Sequence, residues 1–255
     1  MFLNLLEHKH PKMTDAAAQL SSTVDALMQE FQIITHNMAN VSTVGYKRTC
    51  NAFSRSLETQ QAAPTYAPGE TGLISAIDFS QGNIVETGRP LDFALHGKGF
   101  FVIETPDGPL YTRNGVFRTN QNGQIVDSVG RIVAGNAGPI AVPTNVSLSQ
   151  LHVSNNGSIS AGSTNIGRFR LVDFAEFESK LVPVGLNCFK MPDEQVTPDT
   201  PENVIVKQGY QETSNVKLID ELVDMIMVCR LYEANMKFVS AQKDTSDSIM
   251  GVAMA

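Results

Sequence analysis

The side chains best suited to chemistry are few and scattered. His8, His10, His36, His96 and His152 show no metal-ligand spacing beyond "HKH", which is a solvated pair before it is a site. "HGKG", His96 to Gly99, has the glycines and lysine of a phosphate loop. It lacks the G-x-x-x-x-G-K-[ST] order and runs into the aromatic "FFVIE" rather than a helix. Gly97 and Gly99 therefore read as a strand bend where backbone approaches closely. Asp92, Asp107 and Asp127 could serve as paired acids, yet two sit at turn-like positions and the third opens a strand. No G-x-S-x-G or H-E-x-x-H occurs. Cys50, Cys188 and Cys229 are odd in number and far apart, so they suit small buried hydrophobes better than a disulfide framework or a zinc cluster. No catalytic, cofactor-binding or metal-binding residue is assigned, and no cofactor is expected.

Bulk properties narrow the classes further. A chain of 255 residues with 42% hydrophobic content can bury one substantial core, or one core with a helical appendage. A formal charge of −7 leaves no excess of Lys and Arg to displace counterions from phosphates, which argues against a nucleic-acid partner. The opening "MFLNLLEHKHPKM" lacks the charged, apolar, small order of a cleaved secretory signal, and no run reaches the roughly 18 apolar residues of a membrane span.

The elements that would position any site use two periodicities. Leu20, Val24, Leu27, Phe31, Ile34, Met38 and Val41 alternate steps of four and three, the a/d pattern of a coiled coil. Thr14 or Asp15, just past Pro11, can cap the start of that helix. Leu218, Leu222, Met225, Cys229, Tyr232, Met236 and Val239 repeat the spacing after the cap-like "TSN", Thr213 to Asn215. Val223, Ile226, Val228, Leu231 and Phe238 fall off that line, so the second helix is apolar on more than one side. Between the helices the period falls to two, with Asp107-Gly108, Asn114-Gly115, Asn122-Gly123 and Asn156-Gly157 as turn signals. The expected fold is mixed α and β: long terminal helices forming a coiled-coil-like domain around a central all-β domain. The expected divisions are an extension over 1–12, a helix over 13–45, an extended connector over 46–72, the β-domain over 73–209 and a helix over 210–255.

"HNMANVSTVGYKR", His36 to Arg48, is by itself an ordinary helix end with Lys47 and Arg48 placed for the helix dipole. Two further motifs change its meaning. "LDFALHGKGFFVIETPDGPLYTRNGVFRTNQNGQIVDSVGRIVAG" spans Leu91 to Gly135, and "TSNVKLIDELVDMIMVCRLYEANMKFVS" spans Thr213 to Ser240. Together the three resemble the bacterial flagellar rod and hook family over nearly the whole chain. The matching positions include Asn37, Asn40, Gly45, Tyr46, Gly97, Gly99, Phe100, Phe101, Asn215, Arg230, Tyr232 and Asn235.

That resemblance implies a structural axial subunit of the basal-body rod, not an enzyme, which polymerises through its terminal helices into a hollow torque-transmitting shaft needed for motility. The length leaves little room for the outer domain of a hook protein, and "NAGPIAVP", Asn136 to Pro143, is more similar to a proximal than to a distal rod member. The implied partners are other copies of the chain, other rod proteins, hook–basal-body neighbours and the flagellar export apparatus, by which family members leave the cytoplasm without cleavage. The implied location is the periplasmic section of the rod. The residues expected to carry assembly are Leu20, Val24, Leu27, Phe31, Ile34 and Met38 on one helix, and Leu222, Met225, Ile226, Tyr232 and Met236 on the other. A distal rod subunit, a short hook-type protein and an unrelated secreted β-domain that binds a ligand remain the alternatives.

Overall fold

The computed structural model describes residues 13–51, 75–144 and 146–253, with side chains described between 21 and 241. The expected extension over 1–12, most of the connector and the side chains of Thr14, Asp15 and Leu20, on which the expected cap and the first seam position rest, lie outside what is described. By contacts the chain divides into two units. One holds Asn37–Thr49 and Ala76–Lys217; the other holds the remainder.

The first unit is built on an antiparallel meander. In chain order the described strands are β1 (Thr49–Asn51), β2 (Ser75–Ile77), β3 (Ile84–Glu86), β4 (Phe93–His96), β5 (Phe100–Thr105), β6 (Gly108–Thr112), β7 (Arg118–Thr119), β8 (Ile125–Val126) and β9 (Ile132–Gly135). There follow β10 (Gly138–Pro139), β11 (Leu151–Val153), β12 (Ser158–Ala161), β13 (Thr164–Arg168) and β14 (Leu171–Val172). The last are β15 (Val182–Gly185), β16 (Cys188–Lys190), β17 (Ile205–Gln208) and β18 (Tyr210–Glu212). The main sheet runs β15-β16-β6-β5-β9-β8-β7, with β10 on β9 and β14 on β5. β11-β12-β13 form a second sheet, while β1 pairs β2, β17 pairs β4 and β18 pairs β3.

β5 explains why the sheet has two cores. Alternate side chains leave opposite faces of a strand. Phe101 and Ile103 join Phe93, Phe117, Val133 and Phe169 in one cluster, while Phe100 and Val102 join Phe79, Tyr111, Phe174 and Phe189 in the other. "FFVIE" is thus a strand buried on both faces, which is why it reads as a continuous apolar run. Three of the four X-Gly turns have a positive φ glycine; the fourth, Gly115, does not. A Cβ there would lie 1.9 Å from the carbonyl oxygen of Phe93, so close approach of two backbones selects that glycine.

The terminal elements correct the expected fold class. The helices are α1 (Met13–Ala39, 27 residues) and α2 (Leu218–Ala253, 36 residues), about a quarter of the chain, and the protein is mainly β with no coiled-coil domain among the described residues. On α1, Ile34 is buried and Val24, Leu27 and Met38 are half-buried, but Phe31 is exposed. On α2, Leu222, Ile226, Tyr232 and Met236 are exposed. The covered positions are Glu221, Asp224, Met225, Val228, Asn235 and Val239, a line one residue out of phase with most of the expected one. Four-three spacing establishes a helix, but apolar residues all round α2 do not single out a buried face.

Candidate functional site

The end of α1 is where the motif residues converge. Helix ends leave backbone groups without intrahelical partners. Here successive tight turns use them: the amide of Asn40 donates to the Asn37 carbonyl at 3.0 Å, that of Thr43 to Asn40 at 3.0 Å and that of Tyr46 to Thr43 at 3.3 Å. Asn37 then works as a side-chain rung. Its Nδ2 donates to the Thr49 carbonyl at 2.7 Å, and its Oδ1 accepts from the Thr49 amide at 2.9 Å and the Tyr46 hydroxyl at 3.0 Å. The segment after the helix is thereby folded back as the start of β1, not released as a free connector.

Gly45 fits this path because it has φ +69°, and a Cβ there would stand 2.5 Å from the Asn114 amide nitrogen. Its own amide donates to the Glu212 carbonyl at 2.8 Å. Asn215 completes the return: its Oδ1 accepts from the Arg48 amide at 2.7 Å, while its Nδ2 donates to the carbonyls of Asp78 at 2.8 Å and Ser80 at 3.2 Å. The "TSN" string therefore joins segments of the β unit. Thr213 Oγ1 donates to the Asn83 carbonyl, and Ser214 Oγ accepts from the Val216 amide.

Charge lies at the centre of this clasp. Lys47 Nζ stands 2.6 Å from Glu212 Oε1 with both side chains fully buried, and also donates to the Ser80 carbonyl at 2.7 Å. The Gly82 amide donates to the same carboxylate oxygen at 2.9 Å. Arg113 Nη1 lies 3.6 Å from Glu212 Oε2, too long for a hydrogen bond, and its guanidinium stacks over Phe100 at 5.4 Å. Burial pulls the Lys47 ammonium below its ordinary value of 10.5, against the opposing pull of Glu212, and burial likewise lowers Arg113.

Asn37, Asn40, Gly45, Tyr46 and Asn215 are thus brought together, with Phe100 behind Arg113. Phe101 faces the opposite core. Gly97 and Gly99 flank Lys98 elsewhere, packed against the carbonyls of Asn203 and Val172. Beside them an open groove of about 610 Å³ is lined by Asp173, Asp199 and Glu202, charges that oppose a phosphate. Arg230, Tyr232 and Asn235 belong to α2 in the other unit, where Asn235 Nδ2 donates to the Leu231 carbonyl at 3.0 Å. Cys50 and Cys188 are buried and Cys229 is exposed; among the described residues no group of three His, Cys, Asp or Glu could hold a metal. Sequence reasoning missed the partnership of Lys47, Glu212 and Arg113. Lys47 looked like a helix-dipole cation, and only the phase of β18 turns Glu212 inward.

Residues 94–161 match the flagellar hook protein FlgE/F/G D1 domain, and residues 207–252 match the flagellar basal body rod FlgEFG protein C-terminal region. The chain belongs to the flagellar hook and basal-body rod family, a class of structural axial proteins. It is 33% identical to the flagellar basal-body rod protein FlgG of Buchnera aphidicola subsp. Acyrthosiphon pisum, over 89% of this chain and 94% of that one. It is 31% identical to FlgG of Bacillus subtilis, over 88% and 93%, and 30% identical to the basal-body rod protein FlgF of Mesorhizobium japonicum, over 92% and 96%. Its function is that of a structural subunit of the flagellar basal-body rod, assembled with other rod proteins.

Proposed function

We propose that the subunit sits in the periplasmic section of the rod, where copies of the chain and hook–basal-body neighbours cover the apolar side chains that α2 exposes. The observation that carries this reading is the concentration of Leu222, Val223, Ile226, Met227, Leu231, Tyr232, Met236 and Phe238 as exposed residues within one stretch of helix. A run of that size is an association surface in a soluble protein. Covering each side chain contributes roughly 1.5–3 kcal/mol. Phe31 on α1 presents a further exposed apolar side chain. Leu20, Val24, Leu27, Met38 and Met225 complete the proposed assembly set; Ile34 is already buried in the isolated chain and drops out of that set. In this reading the shaft is hollow, transmits torque and passes later subunits through its bore, and the flagellar export apparatus delivers the chain.

The test is Leu222→Asp and Ile226→Asp, separately, in a strain lacking the gene. Both side chains are exposed in the isolated chain, so the purified variants should unfold at the wild-type midpoint while cells lose motility and basal bodies lack rod. Normal motility in both would overturn the assignment. Images of the deletion strain also read position: a rod truncated near its base marks the proximal section, which the Asn136–Pro143 resemblance favours, and a longer stub marks the distal one.

A further inference from the structure

The clasp contains more buried charge than holding two segments together requires. Side-chain exposure is 0% for Lys47 and Glu212 and 2% for Arg113, so two cations face one carboxylate out of water. Glu212 is used unevenly. Oε1 takes both Lys47 and the Gly82 amide, whereas Oε2 has only the 3.6 Å approach of Arg113. Among the described residues Oε2, Arg113 Nε and Arg113 Nη1 make no hydrogen bond. A buried ionic network left partly unsatisfied loses more in desolvation than it regains, and apolar residues of similar shape are often as stable or more so.

What the charges do supply is selectivity between neighbours. The Arg48 amide is taken by Asn215 and the Gly45 amide by the Glu212 carbonyl, so of two adjacent cations only Lys47 is aimed at the carboxylate. A slip of one residue along 44–49 would bring Tyr46 or Arg48 to Glu212 in place of Lys47 and take the carboxylate's closest cation away. The Gly45 slot, where a Cβ would stand 2.5 Å from the Asn114 amide nitrogen, opposes the same slip sterically, so the charges add a chemical selection to a steric one.

We infer that Lys47, Arg113 and Glu212 form a register lock: their charges fix which residue of the exit segment meets the returning segment 211–215, and do not add to the stability of the fold. The lock stands on the geometry alone; only its motility readout rests on the rod-subunit reading. The experiment uses the full chain carrying Lys47→Met, Arg113→Met and Glu212→Gln together, which removes all three charges and keeps an oxygen for the Gly82 amide. The expected result is a urea midpoint equal to or above wild type, backbone amide exchange at 44–48 and 211–215 at least tenfold faster, and lost motility on complementation. Wild-type exchange at those amides overturns the proposal whatever the motility. A lowered midpoint also counts against it, with one control for shape: Lys47→Met, Arg113→Gln and Glu212→Gln keeps a planar amide over Phe100. If that variant too falls below wild type, the charges stabilise the fold and the lock is refuted.

Discussion

Gly45 and Gly88 form a natural pair for testing how tightly the exit segment is seated. Both have φ +69°, so an alanine at either meets the same backbone penalty, about 1–2 kcal/mol. Their surroundings differ. A Cβ at Gly88 meets nothing within 4 Å, whereas one at Gly45 falls 2.5, 2.7 and 2.9 Å from the Asn114 amide nitrogen, the Asn114 Cα and the Arg113 carbonyl carbon. Those neighbours are backbone and cannot rotate away. Relieving the overlap adds a further ~1–3 kcal/mol, and moving Gly45 off Glu212 forfeits a hydrogen bond worth about 1 kcal/mol. Gly88→Ala should therefore destabilise by about 1–2 kcal/mol and Gly45→Ala by about 3–6 kcal/mol. Urea unfolding can be followed by tyrosine emission, because the chain has no tryptophan and both Tyr46 and Tyr111 are buried in the β unit. Equal losses in the two variants would refute the close-approach argument and leave Gly45 as an ordinary turn glycine.

Three further outcomes follow from the same geometry. Burial lowers the Lys47 pKa below 10.5, so the unfolded chain binds its proton more strongly and stability should rise with pH from the folded value towards 10.5; the difference between wild-type and Lys47→Met stability curves should show that slope, and parallel curves would contradict it. Tyr111, whose pKa burial raises, acts in the opposite sense above 10 but is common to both proteins and cancels. Asn215→Ala removes the shared partner of the part-buried Arg48 amide and Asp78 carbonyl and of the exposed Ser80 carbonyl and should cost about 1–3 kcal/mol, read as a lowered urea midpoint, whereas a loss under about 0.5 kcal/mol would show that water replaces the amide. Leu186 has φ +53° at the exposed tip between β15 and β16, so Leu186→Asn should raise stability by about 0.5–1 kcal/mol by calorimetry, and a lowered Tm would mean that the leucine makes compensating contacts.

The parts that could be read in advance were those governed by local rules. The turns at Asp107-Gly108, Asn122-Gly123 and Asn156-Gly157 and the helical periods depend on residues close in sequence, and each corresponds to an element of the structure; Asn114-Gly115 does not form the turn its type suggested. The face that a helix turns inward is not local. Spacing gave α2 a line through Leu222, Tyr232 and Met236, yet all three are exposed, because apolar residues all round a helix give it no preferred side. The clasp was harder still. Lys47 and Glu212 are separated by 165 positions, and nothing at either marks the other, since a lysine after a helix and a glutamate in a strand are each expected in water. Only the tightness of the path brings them together: Asn37 folds the chain back on Thr49, Gly45 admits the Asn114 backbone, and Asn215 holds Arg48. Those three residues were legible as a motif without a mechanism. The mechanism is that they join the end of α1 to the strand leading into α2 through the β unit, so the segments flanking both helices are fixed to one frame before any second subunit arrives.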